Sequence, residues 1–268
     1  NIIHIGANKT ATTSFQINLF SKVKKIGYLG QHSTKNKKLK QELLNLIHQD
    51  DYHYNQNILK NKIKGIKKNN LLSFVYSDED IILSNNLSRS AKRLKKLIPE
   101  AMVVITLRNQ FTAIKSWYKS HGNKLKMVPK KYFGKHVSFN EWISYCYEFR
   151  NFYTSPNQIS PFAAIDYKNI IDIFSKYFGE KKIKILVYED FKLDPNKIYH
   201  QWSRLINIDE KKILNSIKNN KKYRKSPKNI KCVMSVKNER IIDNYFSKGN
   251  LYLSKKYNLN LKSYHYPA

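Results

Sequence analysis

Acidic residues are scarce in this chain. Only 19 Asp and Glu stand against 50 Lys and Arg in 268 residues, a formal net charge of +31. A nucleotide bias in the coding DNA favours Lys, Asn and Ile, but it does not by itself explain that ratio. Such a surface speeds the arrival of polyanions and binds them non-specifically. Nucleic acid, an anionic polysaccharide, an acidic membrane surface and a multiply charged nucleotide all qualify as partners, and charge alone does not choose among them. Cysteine is nearly absent: Cys146 and Cys232 lie far apart without a CxxC. That argues against a disulfide framework and a structural zinc site, and makes a reducing, cytoplasmic compartment the expected home. No apolar run approaches the roughly 20 residues of a membrane span, and no signal-peptide h-region precedes the first apolar segment. Internal repeats, heptads and Gly/Ser linkers are missing too. A single α/β domain over 1–268 is the expectation, and 41% hydrophobic residues suffice for a substantial core.

What is present begins at the first residues. Ile2, Ile3 and Ile5 make a β-branched run that stops at Gly6, and a helical pattern starts near Thr12. Strand, tight loop and helix in that order leave the first helical N–H groups unpaired, with the positive end of the helix dipole at the loop mouth. Lys9 adds a charge there, and Thr10, Thr12, Thr13 and Ser14 add hydroxyls. The opening stretch therefore reads as an anion cradle.

The rest alternates in the same way. Apolar strand patterns fall at Ile26–Leu29, 71–76, Met102–Leu107 and 183–188, separated by helical stretches that include two amphipathic helices within 31–70. A parallel sheet of about five strands with helices on both faces is the predicted architecture, a three-layer α/β fold. The 71–76 strand runs into Ser77, Asp78, Glu79 and Asp80 at the sheet edge where ligands bind in such folds. Met102–Leu107 runs into Arg108, a second cation at a strand-to-helix turn. Residues 121–140 read as a basic, aromatic-flanked loop suited to a lid, with His121, Lys124, Lys130 and Tyr132 as substrate-side candidates. Tyr167 is a further candidate on that side. Residues 197–268 read as a basic, helical carboxyl-terminal part.

Several chemistries fail on spacing. The Walker A pattern needs a second glycine just before its lysine, but Lys9 follows Asn8 only three positions after Gly6, which disfavours a metal-dependent kinase. The eight histidines show no HExxH, and no G-x-S-x-G elbow marks a hydrolase.

One family matches. The run Asn8-Lys9-Thr10-Ala11-Thr12-Thr13-Ser14-Phe15 resembles the 5'-phosphosulfate-binding loop of sulfotransferases, P-K-[TS]-G-T-[TS]-x-[LF]. Arg108, with Ser116 eight positions on, resembles their 3'-phosphate motif. Val187-Tyr188-Glu189-Asp190-Phe191, then Asp194-Pro195, looks like the family's Y-E-D-[LF]…D-P segment, and residues 250–261 are similar to the tail of bacterial members. The markers span the chain. Asn8, Ala11 and Gln110 depart from the usual proline, glycine and proline, and Ala11 asks a residue with a Cβ to occupy a tight cradle.

The resemblance implies a P-loop NTPase-like sulfotransferase fold. It also implies 3'-phosphoadenosine-5'-phosphosulfate as donor, 3',5'-adenosine bisphosphate as product and no metal. It casts Lys9, with Thr10–Ser14, as the 5' site and stabiliser of the leaving group. Arg108 and Ser116 become the 3'-phosphate site, and Tyr188 a nucleotide contact, with Arg224 and Lys225 as a second clamp. Glu79 becomes the general base, with Asp78, Asp80 and His121 as rivals and helix capping the competing role for Asp78 and Asp80. An anionic glycan of capsular or lipopolysaccharide type is the expected acceptor. No dedicated nucleic-acid partner is expected, whereas peripheral contact with an acidic membrane surface is. A kinase of related fold and a non-enzymatic polyanion binder are the competing readings.

Overall fold

A computed structural model describes residues 1–7, 9–33, 37–67, 73–121, 124–126, 128–152, 159–217 and 230–268. Five apolar segments pair into one all-parallel sheet: β1 (Ile2–Gly6), β2 (Ile26–Gly30), β3 (Ser73–Ser77), β4 (Met102–Leu107) and β5 (Ile183–Val187). The order is β2-β3-β1-β4-β5, with Ile2 level with Val75 on one side and Met102 on the other. The chain fills the sheet on one side of β1 and then crosses to the other, which makes the carboxyl end of β1 the place where strand order reverses. Crevices at such points are where open α/β sheets bind ligands.

Both faces of the sheet are covered, so its strands read as nearly continuous apolar runs rather than alternating ones. Ile3 and Ile5 point into a core shared with α2 (Lys37–His48), α3 (Asn57–Lys67), α4 (Leu87–Leu97) and α8 (Tyr167–Phe178). Ile2, Val75, Val104 and Leu186 point the other way. They pack on α1 (Thr12–Ser14), its π-helical continuation Phe15–Phe20, α10 (Pro195–Ile206) and α11 (Glu210–Ile217). The sequence encodes these helices locally. Asp194 accepts from the Asn196 N–H and Pro195 occupies the first turn of α10, so cap and stop signals agree with the apolar stripe Ile198, Trp202, Ile206.

A second group of helices stands off the sheet. The chain leaves β4 into α5 (Gln110–His121), which packs against α6 (Phe139–Glu148) and α12 (Val236–Tyr257). Between α5 and α6 the predicted loop is a folded hairpin. Lys124 bridges His136 in antiparallel fashion, and Leu125 and Val128 are buried in the main core. Those apolar anchors, set among lysines, are why it does not read as a hairpin in the sequence. It follows the carboxyl end of α5, whose twelve residues rise about 18 Å from the Arg108 turn. Short helices α7 (Pro161–Ala164) and α9 (Tyr188–Leu193) complete the described elements with the 3-10 turns Glu79–Ile81, Glu180–Lys182 and Lys262–Tyr264.

Candidate active site

The turn after β1 is built from its own backbone. Lys9 and Ala11 both adopt the left-handed region, at φ 73° and 63°, and the Thr10 N–H and hydroxyl both donate to the Ala7 carbonyl, at 3.2 and 2.6 Å. The Thr10 and Thr12 hydroxyls meet at 3.3 Å. Both threonines are buried, so their side chains brace the loop from inside; Lys9 and Thr13 are half-buried, and the half-buried Ser14 hydroxyl accepts from the Asn18 amide at 3.2 Å and bonds Tyr199. Gly6 is a steric necessity, because a Cβ there would sit 2.0 Å from the Thr12 hydroxyl. Ala11 occupies the N-cap of α1 and supplies no side-chain acceptor, so no side chain caps the opening N–H groups.

Beneath the turn lies a buried polar ladder. His4 contacts the Ser77 hydroxyl at 2.9 Å and the Thr106 hydroxyl at 3.1 Å, tying β1 to both neighbours, and the Gln16 amide donates to the Ser77 carbonyl and hydroxyl, each at 3.2 Å. Phe15, Phe20 and Trp202 meet the imidazole edge-on. Complete burial pushes its pKa down to about 3, so it stays neutral.

The turn after β4 is held from outside. The Arg108 N–H donates to the Tyr167 hydroxyl at 3.1 Å, which in turn donates to the Arg108 carbonyl at 2.8 Å. Tyr167 is therefore buried against the arginine turn and does not face an acceptor. Next to it, the Asn109 N–H donates to Glu189 at 3.0 Å, and Glu189 also accepts from the Tyr266 hydroxyl at 2.9 Å. The Asn109 amide donates to the carbonyls of Tyr264 and His265, while the Tyr264 hydroxyl donates to Asp190 at 2.6 Å. The last residues thus form a strap across the ends of β4 and β5. The sequence signal for this was the Glu-Asp pair after Tyr188, read only as part of a motif.

The two turns meet through one side chain. Arg108 Nη1 donates to the Lys9 carbonyl at 2.6 Å, its Nε to the Thr112 hydroxyl at 3.1 Å, and the guanidinium lies 4.7 Å from the Tyr188 ring centre. Lys9, Arg108 and Tyr188 therefore share one mouth. Ser116 lies half-buried on α5, about two turns beyond the arginine.

The neighbouring strand end is acidic. Asp78 caps the Glu79–Ile81 turn by accepting from the Asp80 N–H at 3.0 Å, and Asp80 accepts from Gln31 at 2.8 Å. Burial and then the Asp80 charge push the Asp78 carboxyl well above the usual range, and burial raises Asp80 as well. Glu79 is half-buried in that turn, which packs against β1.

Of the remaining candidates, Lys124, Lys130 and Tyr132 sit on the hairpin, where Tyr132 packs on Tyr145 and Phe149, and His121 ends α5. Arg224 and Lys225 lie outside the described residues. Among the described residues there is no cluster of three metal-ligating side chains, and no helix is long and apolar enough to cross a membrane.

Comparison with solved structures returns the crystal structure of a sulfotransferase from Alicyclobacillus acidocaldarius, with a TM-score of 0.64 and 14% identity, covering 99% of this chain and 98% of that one. The chain has the fold of a sulfotransferase. Neither the protein-family models nor the curated protein sequences yield a match.

Proposed function

We propose that the protein moves the sulfuryl group of 3'-phosphoadenosine-5'-phosphosulfate onto a hydroxyl or amine of an acceptor, with an anionic glycan of capsular or lipopolysaccharide type as the acceptor class. The observation that carries this reading is the contact between Arg108 and the Lys9 carbonyl. It brings the loop resembling a 5'-phosphosulfate site and the arginine resembling a 3'-phosphate site to one mouth, in a chain with a sulfotransferase fold.

The residues present fit a doubly anionic nucleotide. Helical N–H groups at the start of α1, Lys9 and the Thr13 hydroxyl make a donor set for one anionic end, with Ser14, held by Asn18 and Tyr199, behind them. Arg108 offers the other end a planar fork that Tyr188 backs from 4.7 Å. When bound, the donor supplies the sulfuryl group and a phosphate leaving group. Lys9 opposes the negative charge that builds on that phosphate, and the N–H groups share the task. Glu79, on the strand end beside β1, is assigned to accept the proton of the acceptor hydroxyl. Asp78 caps the turn and Asp80 accepts from Gln31, so both carboxylates already carry structural tasks.

Titration calorimetry with 3',5'-adenosine bisphosphate in the absence of magnesium tests the reading. Binding is expected, and Lys9→Ala and Arg108→Ala should each weaken it roughly tenfold or more, the scale of a lost charge-assisted hydrogen bond. A wild-type chain that ignores the bisphosphate would end the proposal. Labelled donor with a panel of glycans then reads the acceptor.

A further inference from the structure

The two edges of the sheet differ in charge: both carry cations, but carboxylates gather at one and lysines outnumber them at the other. Asp78, Glu79 and Asp80 follow β3 and Glu189 and Asp190 follow β5, so five of the few carboxylates gather at the carboxyl edge around the candidate site. At the amino edge three of the five strands are approached through lysines, while Glu100 stands before β4 and Glu180, paired with Lys256, before β5. Lys25 precedes β2, Lys182 precedes β5, and Lys67 ends α3 on the way to β3.

The same edge holds a cavity of about 350 Å³ between the segment before β2 and the junction of α10 with α11. Lys22, Lys24, Lys25 and Lys212 stand around it, all exposed, over a buried apolar floor that includes Val23 and Ile208. The carboxylate at its rim, Asp209, is turned to the Lys212 N–H, which it caps at 3.2 Å.

We propose that the amino edge of the sheet is a docking face for the phosphate headgroups of an anionic lipid bilayer, which would leave the candidate site pointing away from the membrane. Three features choose this occupant. First, the breadth is wrong for one small anion: Lys25 and Lys182 enter opposite outer strands, four strand spacings or about 19 Å apart. Second, the cavity joins a lysine rim to an apolar floor, which matches a headgroup and the glycerol region behind it. Third, the residues lining it include no aromatic ring on which a base could stack, the usual platform of single-stranded nucleic-acid sites. The face stands apart from the sulfuryl-transfer reading and does not depend on it.

Sedimentation of the full chain with phosphatidylcholine vesicles, with and without phosphatidylserine, tests the face. Binding is expected only with the anionic lipid, and it should weaken with salt. The triple variant Lys24→Glu/Lys25→Glu/Lys212→Glu should lose more than about tenfold in partitioning, since each lysine near such a surface contributes on the order of fivefold. The same charge change on the hairpin, Lys130→Glu/Lys131→Glu/Lys135→Glu, should lose far less. Equal losses in the two triples would overturn the proposal in favour of diffuse charge, as would a wild-type chain that ignores anionic vesicles. Inorganic phosphate releasing the bound protein far better than chloride at matched ionic strength would assign the cavity to a free anion instead and also overturn it. A Lys24→Glu/Lys25→Glu/Lys212→Glu triple that loses binding to single-stranded RNA but keeps vesicle binding would also overturn it. If the Glu triple fails to melt cooperatively, the Gln triple at the same positions is read in its place.

Discussion

Two strand-to-helix turns each bring a cation to the mouth of the site, and they are built by opposite means. After β1 the cradle is local: left-handed Lys9 and Ala11, a glycine that admits Thr12, and hydroxyls closing on carbonyls three residues away. After β4 the backbone has no left-handed residue, and Arg108 is placed by Tyr167, Glu189 and the carboxyl-terminal strap, 59 to 156 residues distant. A local turn should tolerate change elsewhere in the fold. An assembled one should report on it.

The largest expected effect separates the two. Lys9→Ala should cut transfer by about 10²–10³-fold, the scale of a lost donor to developing charge, while leaving the melting temperature near that of the wild type, because the loop is braced by the Thr10 and Thr12 hydroxyls and the Ala7 carbonyl. A large fall in melting temperature would contradict a self-contained cradle. Next comes Glu189→Ala, which strips an acceptor from both the Asn109 N–H and the Tyr266 hydroxyl. Its expected cost is about 1–3 kcal/mol of stability, measured by denaturant unfolding, together with weaker bisphosphate binding. Tyr266→Phe should cost less and be sub-additive with it, since both act through one carboxylate. If stability falls but binding is unchanged, the strap holds the fold and not the arginine.

The same contrast explains what could be read in the sequence. All five strands, their parallel arrangement and the tight turn after β1 follow from apolar runs, Gly6 and the Lys9–Ser14 segment, because each is written within a few consecutive residues. The strap and the role of Tyr167 were not legible, because their meaning lies in a partner far along the chain. Tyr167 reads as a plausible acceptor contact until its hydroxyl is found bracketing the Arg108 backbone. The hairpin after α5 was hidden by its lysines, while Leu125 and Val128, which fix it to the core, are too few to make a pattern. His4 carries no metal spacing, and its partners Ser77 and Thr106 lie on other strands far along the chain, while the π-helical Phe15–Phe20 has no sequence signature beyond its apolar face.

His4 gives a test of the ladder beneath the first turn. Its folded pKa, about 3, lies below the unfolded 6.5, so the unfolded chain binds the extra proton and stability falls as pH drops from about 6.5 toward 3, by at most about 1.4 kcal/mol per pH unit. Asp78 acts in the opposite sense. Its raised pKa contributes stability at low pH that is lost as pH rises through it. The informative quantity is thus the difference between the wild type and His4→Gln, followed by thermal unfolding across that window. The variant should lose the imidazole's share of the slope and keep that of Asp78. Parallel curves would mean that His4 is already protonated in the folded chain.

The smallest effect addresses the residue at which the cradle departs from the resemblance. Ala11 holds φ 63° and ψ 17°, where a Cβ costs about 1–2 kcal/mol and a glycine costs nothing sterically. Against that, Ala11→Gly adds freedom to the unfolded chain and removes a methyl that packs at the edge of the Phe15 cluster. The balance should favour glycine by a few tenths to about 1 kcal/mol in denaturant unfolding. Calorimetry on the same variant then divides two roles for the methyl group. If bisphosphate affinity rises with stability, the Cβ crowds the anion. If stability alone rises, the cradle has already shaped itself around alanine, and the strain is confined to the backbone. A fall in stability would mean that the methyl's packing on the aromatic cluster outweighs the left-handed strain, which would make the first turn less self-contained than its hydrogen bonds suggest.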